Sequence, residues 1–313
     1  MLAFVVRRVL LAVPVMIMVA TFVFLIMQLG TSDPAAVLAG DLATDAQIVA
    51  IRERYGFDQP VWVQLFKWFA LLAQGDLGTS IYTQMPVTRL IGQRLEATVA
   101  LAVYAMVVAI LLAVPLGTIA AWKAGSWIDR AVMIFAVSAF SFPVFLISYT
   151  LILVFALELG LFPVQGYQPL ARGIGPFLEY LTLPAISLGL AFAALLARMT
   201  RASVLDMLRQ DFVRTARAKG LRTWRVLVHH ALRNAAVPIV TVIGLGLAAL
   251  ISGVVITETV FAIPGIGRLT VDGILTRDYP VVQGVVLFFS FVYVLLNLAI
   301  DVIYAVVDPR IRY

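Results

Sequence analysis

Hydrophobic positions in this chain cluster into long uncharged runs, not into the alternating or striped patterns of half-buried strands and surface helices. Runs free of Asp, Glu, Lys and Arg cover residues 9–32, 97–122, 131–157, 180–197, 234–257 and 279–300. An α-helix needs about 20 apolar residues to cross a hydrocarbon core about 30 Å thick. Each run therefore predicts a membrane helix, six in all, within an all-α polytopic membrane protein. The run between Glu179 and Arg198 is the shortest, and predicts a helix that is nearly perpendicular or has a charged end at the interface.

Residues 9–32 follow Arg7 and Arg8 as the core of a secretory signal would. The run greatly exceeds the 7–15 residues of a cleavable signal, so a retained first helix is expected. Pro14, Pro115, Pro143, Pro184 and Pro238 lie in or at the ends of the runs. Each removes a backbone donor and favours a kink.

Composition agrees with the pattern: 62% of the residues are hydrophobic and only 13% charged, against about 25% charged in soluble domains. Mean hydropathy is +1.01. With no cysteine in the chain, disulfides, thiolate metal sites and cysteine nucleophiles are excluded. The net charge of +6 comes from basic residues near the ends of the runs. With the amino terminus in the cytoplasm, fifteen of the 23 Lys and Arg fall inside. The positive-inside rule then puts both termini in the cytoplasm.

Between the first two runs, residues 31–96 form the largest extracytoplasmic segment. It predicts a short helix, a turn over Gly56–Pro60 and an amphipathic Trp/Phe/Leu helix containing Lys67 that lies along the interface.

The densest charge is in "DFVRTARAKGLRTWRVLVHHALRN", residues 211–234. Leu205, Leu208, Phe212 and Ala216 recur at helical spacing, Gly220 after Lys219 is a stop signal, and a second helix starts near Thr223 with Trp224, Leu227, Val228 and Ala231. A helix, glycine turn and helix on the cytoplasmic face follows. Its residues leave two readings open: a basic loop lying on anionic lipid, or a docking surface in which Phe212 or Trp224 enters a groove. Nucleic acid is disfavoured because no aromatic platform accompanies the charges.

This segment resembles the "EAA" coupling loop of ABC transporter permeases of the dipeptide, oligopeptide and nickel importer family. Arg214, Thr215 and Ala216 stand at the Glu-Ala-Ala positions and Gly220 at the glycine; the glutamate is absent. "RYGFDQPVWVQ", "GDLGTS", "HALRNAAVPIVTVIG", "ETVFAIPGIGRL", "RDYPVVQG" and "DPRIR" resemble the same family in order and spacing, from residue 7 to 312. The resemblance implies the type I importer permease fold in an inner membrane. Partners would be a second permease, two cytoplasmic ATPase subunits, a solute-binding protein and the bilayer. ATP and Mg would be held by the ATPase subunits alone, with no cofactor on this chain. Phe212, Arg214, Thr215, Ala216 and Arg217, with Gly220, Leu221 and Trp224, would form the ATPase contact. Glu258, Phe261, Pro264, Gly265, Arg268 and Asp278 would lie at the outer mouth or the binding-protein surface. On this reading the chain divides into a first membrane helix (1–30), an extracytoplasmic segment (31–96), a five-helix core (97–307) containing the coupling loop 198–235, and a cytoplasmic tail (308–313).

Other chemistries find little footing. His229 and His230 are the only histidines, and adjacent helical positions point about 100° apart, so they make no metal set. No Gly-x-x-x-x-Gly-Lys-Ser/Thr loop occurs, which excludes nucleotide binding of the P-loop kind. No charged residue sits at the middle of a run, which counts against an ion-coupled secondary transporter. No nucleophile and base pair suggests an enzyme. The expectation is ATP-driven import of dipeptides or oligopeptides, with nickel or another small solute as the alternative cargo.

Overall fold

The computed structural model describes residues 2–28, 34–39 and 43–307. In chain order the helices are α1 (Leu2–Gln28), α2 (Pro34–Ala39), α3 (Asp45–Tyr55), α4 (Val61–Ala73), α5 (Val87–Trp122), α6 (Trp127–Ser141) and α7 (Val144–Leu151). They continue with α8 (Ile174–Leu208), α9 (Asp211–Ala218), α10 (Thr223–Arg225), α11 (Ala236–Val260), α12 (Ile266–Leu275) and α13 (Tyr279–Val307). Wider π-helical turns extend α7 over Ile152–Glu158 and α10 over Val226–Leu232. The predicted tail 308–313 lies outside the described residues.

Among the described residues, α5, α8 and α13 are each long and apolar enough to span a membrane. Two bent pairs raise the number to five at most: α6 with the α7 extension, and Thr223–Leu232 with Ala236–Leu247. The expected six is thus not reached by length and composition; the apolar stretch Leu10–Ile26 of α1 falls short.

Charge proves a poor marker of helix ends. The expected short fourth helix is α8, 35 residues long, because Glu179 and Arg198 end the uncharged run without ending the helix. Both are good helix formers. Pro115 and Pro184 sit inside continuous helices, whereas Pro143 does more than kink. Phe142 before it is extended at ψ 131°, and the chain bends by 102° between α6 and α7. A residue before proline is driven out of the α region, which accounts for the break. Pro238 has its break four residues upstream, where Asn234 and Ala235 precede α11 and the chain bends by 60°.

The chain forms two compact units. One comprises Met1–Leu95 with Leu269–Leu295, the other Glu96–Arg268 with Leu296–Tyr313. In the first, α1 packs on α4 through Phe24 and Trp68, ring centroids 5.5 Å apart, and Gln28 Nε2 donates to Gln64 Oε1 at 3.0 Å. At 13 residues, α4 is about 20 Å long, too short to span. A turn at Gly56 (φ +70°) leads into it.

The second unit is built around α8, which packs against α6, α7 and α11. Its buried face runs through Leu181, Leu188, Phe192, Leu196 and Val204. Small residues let the helices close: a Cβ on Gly189 would lie 2.7 Å from the Ala105 carbonyl oxygen, and one on Gly117 2.5 Å from that of Ala197. Gly246 faces the Phe192 ring so closely that a Cβ would fall within it. Gly246→Ala should therefore lower the stability of the purified protein by about 1–3 kcal/mol, the usual range for overpacking. Adding Phe192→Leu should recover most of the loss, measured as the thermal unfolding midpoint in detergent.

Candidate functional site

The basic segment begins where α8 stops. Gln210 is extended (φ −74°, ψ 151°), so α9 starts a new helix with a new phase. That reset moves the apolar face. A single helix through residue 219 would turn Phe212 inward with Leu205 and Leu208. Instead Val213 and Ala216 are buried, packed with Val226, Leu208 and Leu221. Full burial of a side chain the size of Val213 stabilises by about 1.5–3 kcal/mol. Phe212 is displaced to the surface, 41% exposed.

The turn after α9 is a Schellman motif. Gly220 N donates to the Arg217 carbonyl at 2.9 Å, and Leu221 N to the Ala216 carbonyl at 3.3 Å. Gly220 has φ +76° and nothing within 4 Å of a would-be Cβ. Glycine is needed there for the backbone angle alone. Leu221 then folds back over Val213 and Ala216, the apolar contact that accompanies this cap.

The sequence-predicted residues thus separate into two layers. Ala216 and Leu221 belong to the underside, with Val213 and Val226, which the sequence reading had missed. Arg214, Thr215, Arg217, Gly220 and Trp224 are exposed with Phe212, and Trp224 is 68% exposed. Arg214 pairs with Asp211 at 3.2 Å, both in water. Thr215 Oγ1 donates to the Asp211 carbonyl at 3.0 Å. The outcome is a small rigid platform with two aromatic side chains and several cations facing out.

The second predicted cluster surrounds Glu258 at the end of α11. The resemblance implies a place at the outer mouth or the binding-protein surface; within the turn, Glu258 and Phe261 are buried. Thr98 Oγ1 on α5 donates to Glu258 Oε1 at 2.6 Å, and Arg268 N donates to Oε2 at 2.9 Å. Thr98 Oγ1 in turn accepts from Ile266 N at 2.8 Å. Carboxylate and hydroxyl together cap the first turn of α12, where backbone N–H groups lack helical partners. Gly265 lies against the carboxylate with no room for a Cβ. Only Pro264 is exposed in this turn, with Arg268 half-buried.

Loop residues 165–170 secure the same end of the unit. Gly166 N donates to the Phe261 carbonyl at 2.8 Å, and Tyr167 Oη donates to Glu96 Oε1 at 3.1 Å. Burial, then the Glu96 carboxylate, pushes the Tyr167 phenol up from its ordinary value. In the other unit, Asp278 is also buried. It accepts from Ser80 Oγ at 2.6 Å and Ile81 N at 3.2 Å, which pins the turn at residues 79–86. Among the described residues no group of three His, Cys, Asp or Glu is placed to hold a metal ion.

The chain matches two family models: binding-protein-dependent transport system inner membrane component over residues 113–313, and the N-terminal part of the same kind of membrane component over residues 1–102. A probable peptide ABC transporter permease of Sinorhizobium fredii is 46% identical over 310 residues, 99% of each chain. A putative peptide transport system permease of Brucella abortus is 42% identical over the full length of both. The glutathione transport system permease of Salmonella paratyphi A is 41% identical, again over both full lengths. A chain in an inward-facing structure of the MetNI methionine ABC transporter superposes with a TM-score of 0.59 at 17% identity, over 70% of this chain and 96% of that one, so the fold is shared.

Glu258→Gln leaves one acceptor oxygen where the carboxylate has two, so either the Thr98 hydroxyl or Arg268 N loses its acceptor, and the change should lower stability by about 1–3 kcal/mol. Thr98→Val should cost a similar amount, and the double variant less than the sum, read from unfolding midpoints in detergent. Family membership implies an assembly with a paired permease, ATPase subunits and a solute-binding protein, and hydrolysis of ATP takes place on the ATPase subunits. The chain belongs to the binding-protein-dependent transport system inner membrane component family, and is a permease subunit of an ABC importer.

Proposed function

We propose that this permease lines the route by which dipeptides or oligopeptides enter the cell, and that the platform formed by α9, Gly220 and Trp224 is its contact with an ATPase subunit. Full-length similarity to peptide and glutathione permeases supports the cargo class. One observation carries the contact: Phe212 and Trp224 are held outward by a buried Val213, Ala216 and Val226 underside. Large exposed aromatics on a rigid base are what a docking groove needs, because little side-chain freedom is lost on binding.

In this reading α1 supplies the sixth membrane pass, both termini are cytoplasmic, and two ATPase subunits serve a pair of permeases in the inner membrane. Residues 31–96 stay outside and 198–235 inside. ATP-driven closure of the ATPase pair moves α9, and the path between the permeases opens alternately to each side. At the outer mouth, Pro264 and Arg268 are accessible to the binding protein. Glu258, Phe261, Gly265 and Asp278 act by holding turns in shape. Nickel is the second cargo reading.

Proteoliposomes with the cognate subunits, ATP inside and binding protein outside should accumulate di- and oligopeptides. ATP-dependent uptake of nickel alone would overturn the peptide assignment. Gly220→Val should reduce uptake, since a β-branched residue at φ +76° costs at least about 1–2 kcal/mol. Gly220→Asn should retain most uptake because asparagine tolerates this conformation. Equal uptake by all three proteins would remove the coupling role from the turn.

A further inference from the structure

A charged contact near the cytoplasmic end of α8 belongs to none of the sites above. Asp129, in the first turn of α6, is buried. Arg201 on α8 grips it with both arms, Nε to Oδ1 and Nη2 to Oδ2, the latter at 2.7 Å. Gly125 N donates to Asp129 Oδ2 at 2.9 Å, and Ser126 Oγ accepts from Asp129 N at 3.4 Å. The corner between α5 and α6 is thereby folded around the carboxylate. One turn earlier on α8, Gly117 of α5 comes so close that a Cβ would meet the Ala197 carbonyl and the Thr200 side chain.

We propose that the Asp129–Arg201 pair is a positioning contact that makes α6 move with α8, and so carries displacement of α9 into the bent span. The proposal rests on the reading of α9 as the ATPase contact. Arg201 lies seven residues, about two helical turns, before Leu208 at the end of α8, and α9 begins at Asp211 just beyond. On the other side, α6 leads to the 102° bend at Phe142 and Pro143, beyond which α7 packs on α8 and α11. A push on α8 without this contact could be absorbed by sliding at the α6 face. A two-pronged, planar grip resists sliding and rotation together.

Stability alone is a poor reason for such a pair. The desolvation of a buried ion pair offsets much of its attraction, and apolar replacements often serve as well; what the pair contributes is a fixed geometry. Arg201 also remains 26% exposed along its side chain, so water still reaches the cation. The contact ties the α5–α6 turn to α8 by charge.

The test uses the assembled transporter in proteoliposomes, with uptake and ATP hydrolysis measured on the same vesicles. Among complexes that assemble, Asp129→Asn and Arg201→Gln should leave basal hydrolysis near wild type while substrate moved per ATP falls about fivefold or more, the lower end of ordinary coupling between sites. Arg201→Lys, which keeps the charge but not the two-pronged grip, should assemble like wild type and still show a lowered ratio, which a general loss of stability would not produce. A wild-type ratio in Asp129→Asn beside a reduced one in Gly220→Val overturns the positioning role while leaving the α9 contact standing. Wild-type ratios in both overturn the two together. If the charge-removing variants fail to assemble, an Arg201→Lys complex with a wild-type ratio overturns the proposal.

Discussion

Hydrocarbon offers no partner to a backbone N–H or C=O, and that constraint governs this structure. Regular helix answers it along most of the chain, so each departure from helix has to satisfy its own backbone groups. The departures are few and well secured. At the Pro143 break proline itself has no N–H to pair, and its carbonyl accepts from Leu146 N at 3.0 Å and Ile147 N at 3.3 Å. At the end of α11 the chain turns over only five residues, and the Glu258 carboxylate with the Thr98 hydroxyl takes up the N–H groups of Arg268 and Ile266. After α9 the Schellman bonds of Gly220 and Leu221 do the same for the last carbonyls.

One continuous helix, α5, joins the Glu258 network to the close contact with α8. From Glu96 to Trp122 α5 covers about 40 Å, with Thr98 in the Glu258 network at one end and Gly117 against α8 at the other. Between them the helices touch through glycine and alanine, where backbones approach closely and association depends on van der Waals fit. Such contacts have little tolerance for added volume, so a shift imposed at one end is passed along the helix. That mechanical property suits a permease whose energy source is a separate subunit.

Much of this was legible in the residues. The uncharged runs fall largely in helix because burial in lipid or protein excludes charge, although the run 131–157 is broken at Pro143 into α6 and α7, and Gly220 announced its turn because only a residue without a Cβ adopts φ +76° at no cost. Helix ends were less legible. Glu179 and Arg198 end a hydrophobic run but not α8, since helical backbone bonds do not depend on side-chain charge. Phe212 drew attention by its size, yet the break at Gln210 reset the helical phase and turned Val213 inward; the Val213 to Ala216 spacing was the available signal. The burial of Glu258 was not legible, because a lone carboxylate beside a Pro-Gly turn gives no hint of Thr98, 160 positions away. The same distance in sequence hid the Asp129–Arg201 pair, whose partners are 72 positions apart.

The central claim is that the outward face of α9 and Trp224 meets an ATPase subunit, and the chain's lack of cysteine makes it directly measurable. Single cysteines placed as Phe212→Cys and Trp224→Cys should each cross-link to the ATPase subunit in the assembled transporter, with yields that change between nucleotide-free and ATP-bound states, while Leu170→Cys on the far loop should not. Cross-links from Leu170→Cys, or blockage of Trp224→Cys by a thiol reagent that cannot cross the membrane, would contradict the account.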